Sequence, residues 1–468
     1  MSFARILRSS ALMGGAQVVV LAAGFVRAKA IAVIIGASGV GLIGIFNVFS
    51  GNVATFAAWG LGTSGVRLIA GASEEEKPTK IAAVRRMGWM LSLLGLVLAL
   101  LLFWPVGGAT FDSSQYAAEM AIVALAVPCV IASSAWSAVL QASGKVASLA
   151  KVQIAGALAG LLLGLPAIWL WGTIGIALSI LFAAAVPAFV LWRAARTECQ
   201  VSAGLSAGSA DLGRLLKLGG ALMLVGWLGQ LSAYVVRLAI VRIEGLDAAG
   251  YYQAAFAISG SLPGFVFAAM GADFFPRVAA AKDEEEARHI TEKQILAGLL
   301  LGIPVIIALL TLGKLCIHLL YANSFDEAIP LLTWMTWGVF VRIIAWPLGF
   351  RLLARGSAKA MITIEGLSAA VTAAVSVGLL YGYGLLGCVI GFLVGQLFYA
   401  ILLVALSYRQ SARAFEAGTF AAIGGSALLA GMAQFFVSRL DGDCWGILPT
   451  LLAAGASGWA FRKISQQP

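Results

Sequence analysis

From Met87 to Phe111 the chain runs for 25 residues without a charged side chain. About 20 apolar residues in a helix cross ~30 Å of hydrocarbon, and no soluble core hides many such segments. Runs of this kind recur along the whole sequence. Bounded by charges or Gly/Pro turns, they predict fourteen helices, at 8–35, 40–70, 85–108, 116–142, 146–170, 173–195, 212–243, 247–281, 288–313, 325–354, 358–382, 385–408, 416–437 and 444–463. Inside a bilayer each backbone N–H and C=O must be satisfied within the protein, so the expected fold is all-α and polytopic. Composition agrees: 61% of residues are hydrophobic and only 11% charged. The basic, then apolar, N-terminus resembles a signal peptide, but its run is long and lacks a small-x-small cleavage site before Arg27; it is expected to be an uncleaved first helix.

Basic residues set the expected orientation. With both termini in the cytoplasm, 23 of the 31 Lys and Arg fall in inner segments, and outer segments carry only Arg242, Lys314 and Arg439. That asymmetry is the positive-inside pattern of a multi-pass membrane protein. The net charge of +10 is thereby accounted for by topology, and no nucleic-acid partner is implied. Five dispersed cysteines without a CxxC, and two histidines far apart, suggest neither a disulfide framework nor a metal site, and no cofactor is expected.

The sequence also repeats itself. At an offset of 209, GLIGIFNVFSG (41–51) lies over GYYQAAFAISG (250–260), pairing Gly41 with Gly250. At 210, FVRA (25–28) lies over VVRL (235–238), pairing Arg27 with Arg237. At 212, LQASGK (140–145) meets LLARGS (352–357), and GTIGIA (172–177) meets GLLGCV (384–389). The unit is six helices, and an even number keeps both copies in one orientation, with a pseudo-two-fold along the membrane normal. The expected organisation is an N-lobe of helices 1–6 (1–196), a Gly/Ser-rich cytoplasmic linker (197–211), a C-lobe of helices 7–12 (212–409), and an appended pair, helices 13–14 (410–468).

The outer loops are short and carry no nucleophile with a base, no acid pair and no metal-ligand spacing, which favours a transporter over a membrane enzyme. Charges within membrane helices are the functional signal. Arg27, Arg237 and Arg342 are the candidate substrate-binding cations, joined by Lys29 and by Asn47, which shares a helix face with Ser50, Gly51 and Ala54. Each cation could instead snorkel to an interface, the alternative that weighs most for Lys29; Arg67 is read as such a topology charge. Guanidinium offers a planar fork of donors that suits phosphate oxygens. Asp273 and Glu365 are the acids expected inside the C-lobe; their N-lobe counterparts are Ser64 and Gln153, so a proton or sodium site would belong to the second lobe, unless both acids are salt-bridged at the rim. The acidic runs SEEEK (73–77) and KDEEEAR (282–288) are expected to be solvated loops. Pro128, Pro187, Pro263 and Pro347 are expected to kink helices 4, 6, 8 and 10.

The stretch GASGVGLIGIFNVFSGNVATFAAWGLGTSGVRLIA (36–70) resembles the first hairpin of Wzx-type lipid-linked oligosaccharide flippases of the multidrug/oligosaccharidyl-lipid/polysaccharide exporter superfamily. The resemblance extends over most of the chain; fourteen helices rather than twelve matches the relatives that flip peptidoglycan precursors. It implies a flippase that moves undecaprenyl-pyrophosphate-linked oligosaccharide to the periplasmic leaflet by alternating access through a cationic central cavity, amid membrane lipids and alongside a glycan polymerase and chain-length machinery. The alternatives are an ion-coupled drug exporter of the same superfamily and an integral-membrane glycan polymerase or ligase.

Overall fold

The computed structural model describes residues 3–111, 114–198, 209–411, 415–439 and 447–465. Among them, all regular structure is helical. The first elements are α1 (Phe3–Ile34), α2 (Ala37–Ala58), α3 (Leu61–Ala70), α4 (Lys77–Phe111), α5 (Ala117–Ala142), α6 (Val146–Leu162), α7 (Gly164–Trp171) and α8 (Thr173–Glu198). They are followed by α9 (Ser209–Glu244), α10 (Leu246–Ala279), α11 (Glu284–Thr311), α12 (Gly313–Leu320), a 3-10 turn, α13 (Ala328–Ala354), α14 (Ala358–Ser411), α15 (Ala417–Arg439) and α16 (Ile447–Ser465). Among the described residues, eleven helices are long and apolar enough to cross a membrane. Most of the expected linker, residues 199–208, lies outside the described residues.

The breaks have local causes. Helix 2 of the sequence reading divides into α2 and α3 because Trp59 (φ 48°) and Gly60 (φ 65°) are both left-handed. Trp59 is the one non-glycine with positive φ among the described residues. Such a backbone costs about 1–2 kcal/mol for a residue with a Cβ. The indole offsets part of it: Trp59 Nε1 donates to the Leu216 carbonyl at 2.9 Å, tying the break to the start of α9. In α14, Gly384 (φ 60°, ψ −150°) joins two antiparallel halves, the expected helices 11 and 12. Counting each broken helix once and α14 twice recovers the fourteen expected helices.

The repeat is written into the backbone. Glycines with positive φ occur at 36 and 245 (92° and 91°), at 144 and 356 (70° and 80°), and at 172 and 384 (53° and 60°). Their separations are 209, 212 and 212, the offsets found in the sequence. Turns that demand φ above zero select glycine, so the same turn chemistry is used twice. Packing repeats as well. A Cβ on Gly175 would meet the Ala167 carbonyl oxygen at 2.1 Å, and one on its match Gly387 would meet the Leu379 carbonyl oxygen at 2.3 Å.

Contacts divide the chain into two compact units, Met1–Gly250 and Tyr251–Pro468. In the first, α5 packs on α4 and α8, α6 on α1 and α8, and α9 on α2, α3 and α4. Lipid is as apolar as these side chains, so helix association relies on close packing of small residues. The α6–α7/α8 seam shows this: the ideal Cβ positions of Gly156, Gly160 and Gly164 fall 2.4 Å from Pro187, 3.0 Å from Ala183 and 2.6 Å from Ser179. In the second unit, α13 packs on α14, and α11 packs on α13, α15 and α16. Its core centres on Ile295, Ile306, Ile343, Leu348 and Leu403. The appended helices are thereby anchored on α11.

Candidate functional site

In the first unit, α1 carries Arg27 into its contact with α6. Arg27 Nη1 lies 3.0 Å from the position a Cβ would take on Gly160. The side chain is partly buried, and among the described residues its guanidinium has no hydrogen-bond or ion-pair partner. Lys29, two residues on, is exposed. Arg237 is 3% exposed, and its Nη1 donates to the Ala233 carbonyl one turn back at 3.0 Å. The two repeat-matched arginines therefore occupy different packing environments: Arg27 against α6, Arg237 within α9.

Asn47 is exposed on α2, and its backbone carbonyl accepts the Ser50 hydroxyl. The polar link from α2 to α9 is made instead by Asn52, whose Nδ2 donates to Val48 and Gln230 carbonyls at 2.9 and 3.0 Å. Asn52 sits one residue off the small-residue face read from the sequence, which is why that reading missed it. Further along α9, the Tyr234 hydroxyl is 2.7 Å from that of Thr110, and Arg242 donates to the carbonyls of Gly108 and Ala109, capping the end of α4.

In the second unit the structure brings two separately predicted residues together. Tyr399 is 7% exposed, its hydroxyl hydrogen-bonds to Glu365, and Arg342 lies within electrostatic reach. Gly349 clears the space: a Cβ there would stand 2.7 Å from the Tyr399 hydroxyl. Arg342 is exposed at the surface of its unit and Glu365 is partly buried. This gives an Arg–Tyr–Glu constellation across α13 and both halves of α14. Asp273 lies in α10, and its side chain is outside the described residues.

Among the described residues, the most deeply buried acids are others. Glu119, at the start of α5, accepts from the Thr173 hydroxyl at 2.7 Å, so a buried acid also occurs in the first six helices. Glu292 in α11 is 4% exposed; it pairs with Arg288 and accepts from the Glu416 amide at 3.1 Å and the Thr419 hydroxyl at 3.3 Å. Within the run 282–288, exposed Lys282 and Asp283 precede the helix, and residues 284–288 form the capped first turn of α11 rather than a loop. Asp283 accepts from the Glu286 amide, and Arg288 is buried between Glu285 and Glu292. His289, Glu292 and Glu416 approach within 4.8 Å of one another, but the Glu292 oxygens are already committed to Arg288, Thr419 and the Glu416 amide. An apolar groove of about 680 Å³ runs along the second half of α14 to the base of α15, lined by Leu397, Ile401, Val404, Tyr408 and Phe415, with Arg409 at one end.

These features define a polytopic membrane protein with charges held inside its helical packing. Its fold is shared with solved transporters. A lipid II flippase MurJ in an inward closed conformation aligns over 98% of this chain and 100% of its own, with a TM-score of 0.76 at 13% identity. An inward-facing multidrug resistance MATE family transporter of the MOP superfamily aligns over 89% and 96%, with a TM-score of 0.69 at 14% identity. A curated relative from Shigella flexneri, named as a candidate O-antigen transporter, is 24% identical over 314 residues, which is 66% of this chain and 73% of its own. The polysaccharide biosynthesis protein family matches residues 6–282, and the chain belongs to that family.

Proposed function

We propose that this protein is a flippase for undecaprenyl-pyrophosphate-linked oligosaccharide, moving it from the cytoplasmic to the periplasmic leaflet by alternating access through a cationic cavity. The observation that carries the reading is Arg27. It is a charge in a membrane span, cleared by Gly160 and without a partner among the described residues. A guanidinium stays charged at any cellular pH, and leaving it unpaired in a low-dielectric site is costly unless a ligand completes it. A pyrophosphate supplies both the counter-charge and the acceptor geometry. Arg237 and Arg342 are the further cations of this path, with Lys29 and Asn47 at its polar lining. The groove ending at Arg409 suits an apolar polyprenyl tail that stays in lipid.

Glu365, hydrogen-bonded to Tyr399 beside Arg342, is the favoured site for a coupling ion, with Asp273 as the second acid. The family membership and the flippase fold support this reading over a glycan polymerase or ligase, and the inner membrane with cytoplasmic termini is the location it requires. Charge reversal at Arg27 or Arg237, assayed with a fluorescent polyprenyl-pyrophosphate oligosaccharide in proteoliposomes, tests it. Loss of flipping at normal protein level is expected. Unaltered flipping would remove the binding role, and drug efflux in its place would identify an exporter.

A further inference from the structure

Among the described residues Arg351 is the largest fully buried side chain, 1% exposed near the end of α13. All three of its guanidinium nitrogens are buried without a hydrogen-bond partner. The neighbouring cations are satisfied. Arg288 is held by Glu285, Glu292 and Glu416, and Arg355 donates Nε to Glu284 Oε1 at 2.7 Å and Nη1 to the Ala281 carbonyl at 3.0 Å. Arg351 and Arg355 are four residues apart, so they lie on one face of the helix end, and the Glu284 carboxylate that Arg355 holds is within electrostatic reach of Arg351. Glu292, the other acid nearby, is fully engaged. One carboxylate oxygen in this cluster is buried and unclaimed, Glu284 Oε2.

A guanidinium cannot discharge itself by losing a proton, and a buried charge without a partner is among the costliest arrangements a fold can hold. Its natural acceptor, Glu284, is drawn off by Arg355. Arg355 in turn clamps the turn between α10 and α11 through Ala281 and Glu284. The arrangement has two self-consistent pairings of one acid with two arginines, and only one is made here.

We propose that Glu284 is a two-position carboxylate: Arg355 holds it in the state seen here, and Arg351 takes it in a second state in which the clamp on the α10–α11 turn is released. Arg351 is thus a reserve partner whose lack of bonds in one state is made good in the other. The device is independent of what the protein transports.

The test is Arg351→Met in the full-length protein in nanodiscs, with amide hydrogen exchange over residues 279–287 and the melting temperature as readouts. Removing the competitor is expected to slow exchange in that segment by roughly threefold or more and to raise the melting temperature by a few degrees, because an unpaired buried charge has gone. Arg351→Lys keeps the competing charge and is expected to exchange as the wild type does. Arg355→Met should speed exchange in the same segment. Unchanged exchange in Arg351→Met overturns the proposal. A lower melting temperature, or failure to accumulate, also overturns it, by identifying a permanent water-bridged Arg351–Glu284 pair.

Discussion

Gly41 and Gly250, matched by the internal repeat, pack reciprocally: a Cβ on Gly41 would stand 2.4 Å from the Leu246 carbonyl oxygen, and one on Gly250 would stand 2.0 Å from that of Ala37. Leu246 and Ala37 are themselves matched at the same offset, and each is the first residue of its helix. Two copies of one motif, each following a glycine with φ near 90°, thus touch through each other's backbone. All four residues belong to the first unit.

Backbone cannot yield as a side-chain end can, so Gly41→Ala and Gly250→Ala are each expected to force α2 and the start of α10 apart. Overpacking of this kind costs about 1–3 kcal/mol. The measurement is melting temperature in detergent, with Gly108→Ala, where nothing lies within 4 Å, as the control expected to change little.

Gly160 makes room for Arg27. Its ideal Cβ lies 3.0 Å from both Arg27 Nη1 and Ala183. Gly160→Val is expected to displace the guanidinium and to lower transport of the lipid-linked glycan at least as much as Arg27→Ala does. If Arg27 is idle, Gly160→Val will lower stability while transport per folded molecule stays unchanged.

Glu292 joins α11 to the first turn of α15 while neutralising Arg288. Breaking a buried pair by removing one partner costs about 3–5 kcal/mol. Glu292→Ala should therefore lower the melting temperature markedly and open the 415–419 segment to protease. Thr419→Ala, which removes a single hydroxyl, should cost only about 1 kcal/mol.

At the Arg342–Tyr399–Glu365 constellation, Glu365→Gln is expected to make glycan transport insensitive to the applied ion gradient. A hydrogen bond to a charged group contributes about 1.5–3 kcal/mol. Tyr399→Phe should accordingly shift the ion concentration for half-maximal transport by about tenfold. Gradient dependence that survives Glu365→Gln would assign coupling elsewhere.

Sequence by itself determined the helical architecture and its duplication. An uncharged run such as 87–111 must satisfy its own backbone in a bilayer, and only a helix does so within one segment. The repeat was legible because a positive φ is a local demand that only glycine meets cheaply, so Gly36, Gly144 and Gly172 left their mark at 245, 356 and 384. The place of Arg27 within a span was legible for the same one-dimensional reason, and the spacing of Gly156, Gly160 and Gly164 carried a signal for the seam it enters. Only the tertiary structure decided which helix faces meet. Arg351 counted as one more basic residue near a helix end, and 282–288 as a charged loop, because a charge facing water and a charge facing a neighbouring helix have the same spelling. Burial, and the competition of Arg351 and Arg355 for Glu284, arise from contacts between segments about 70 residues apart in the chain, which no local pattern records.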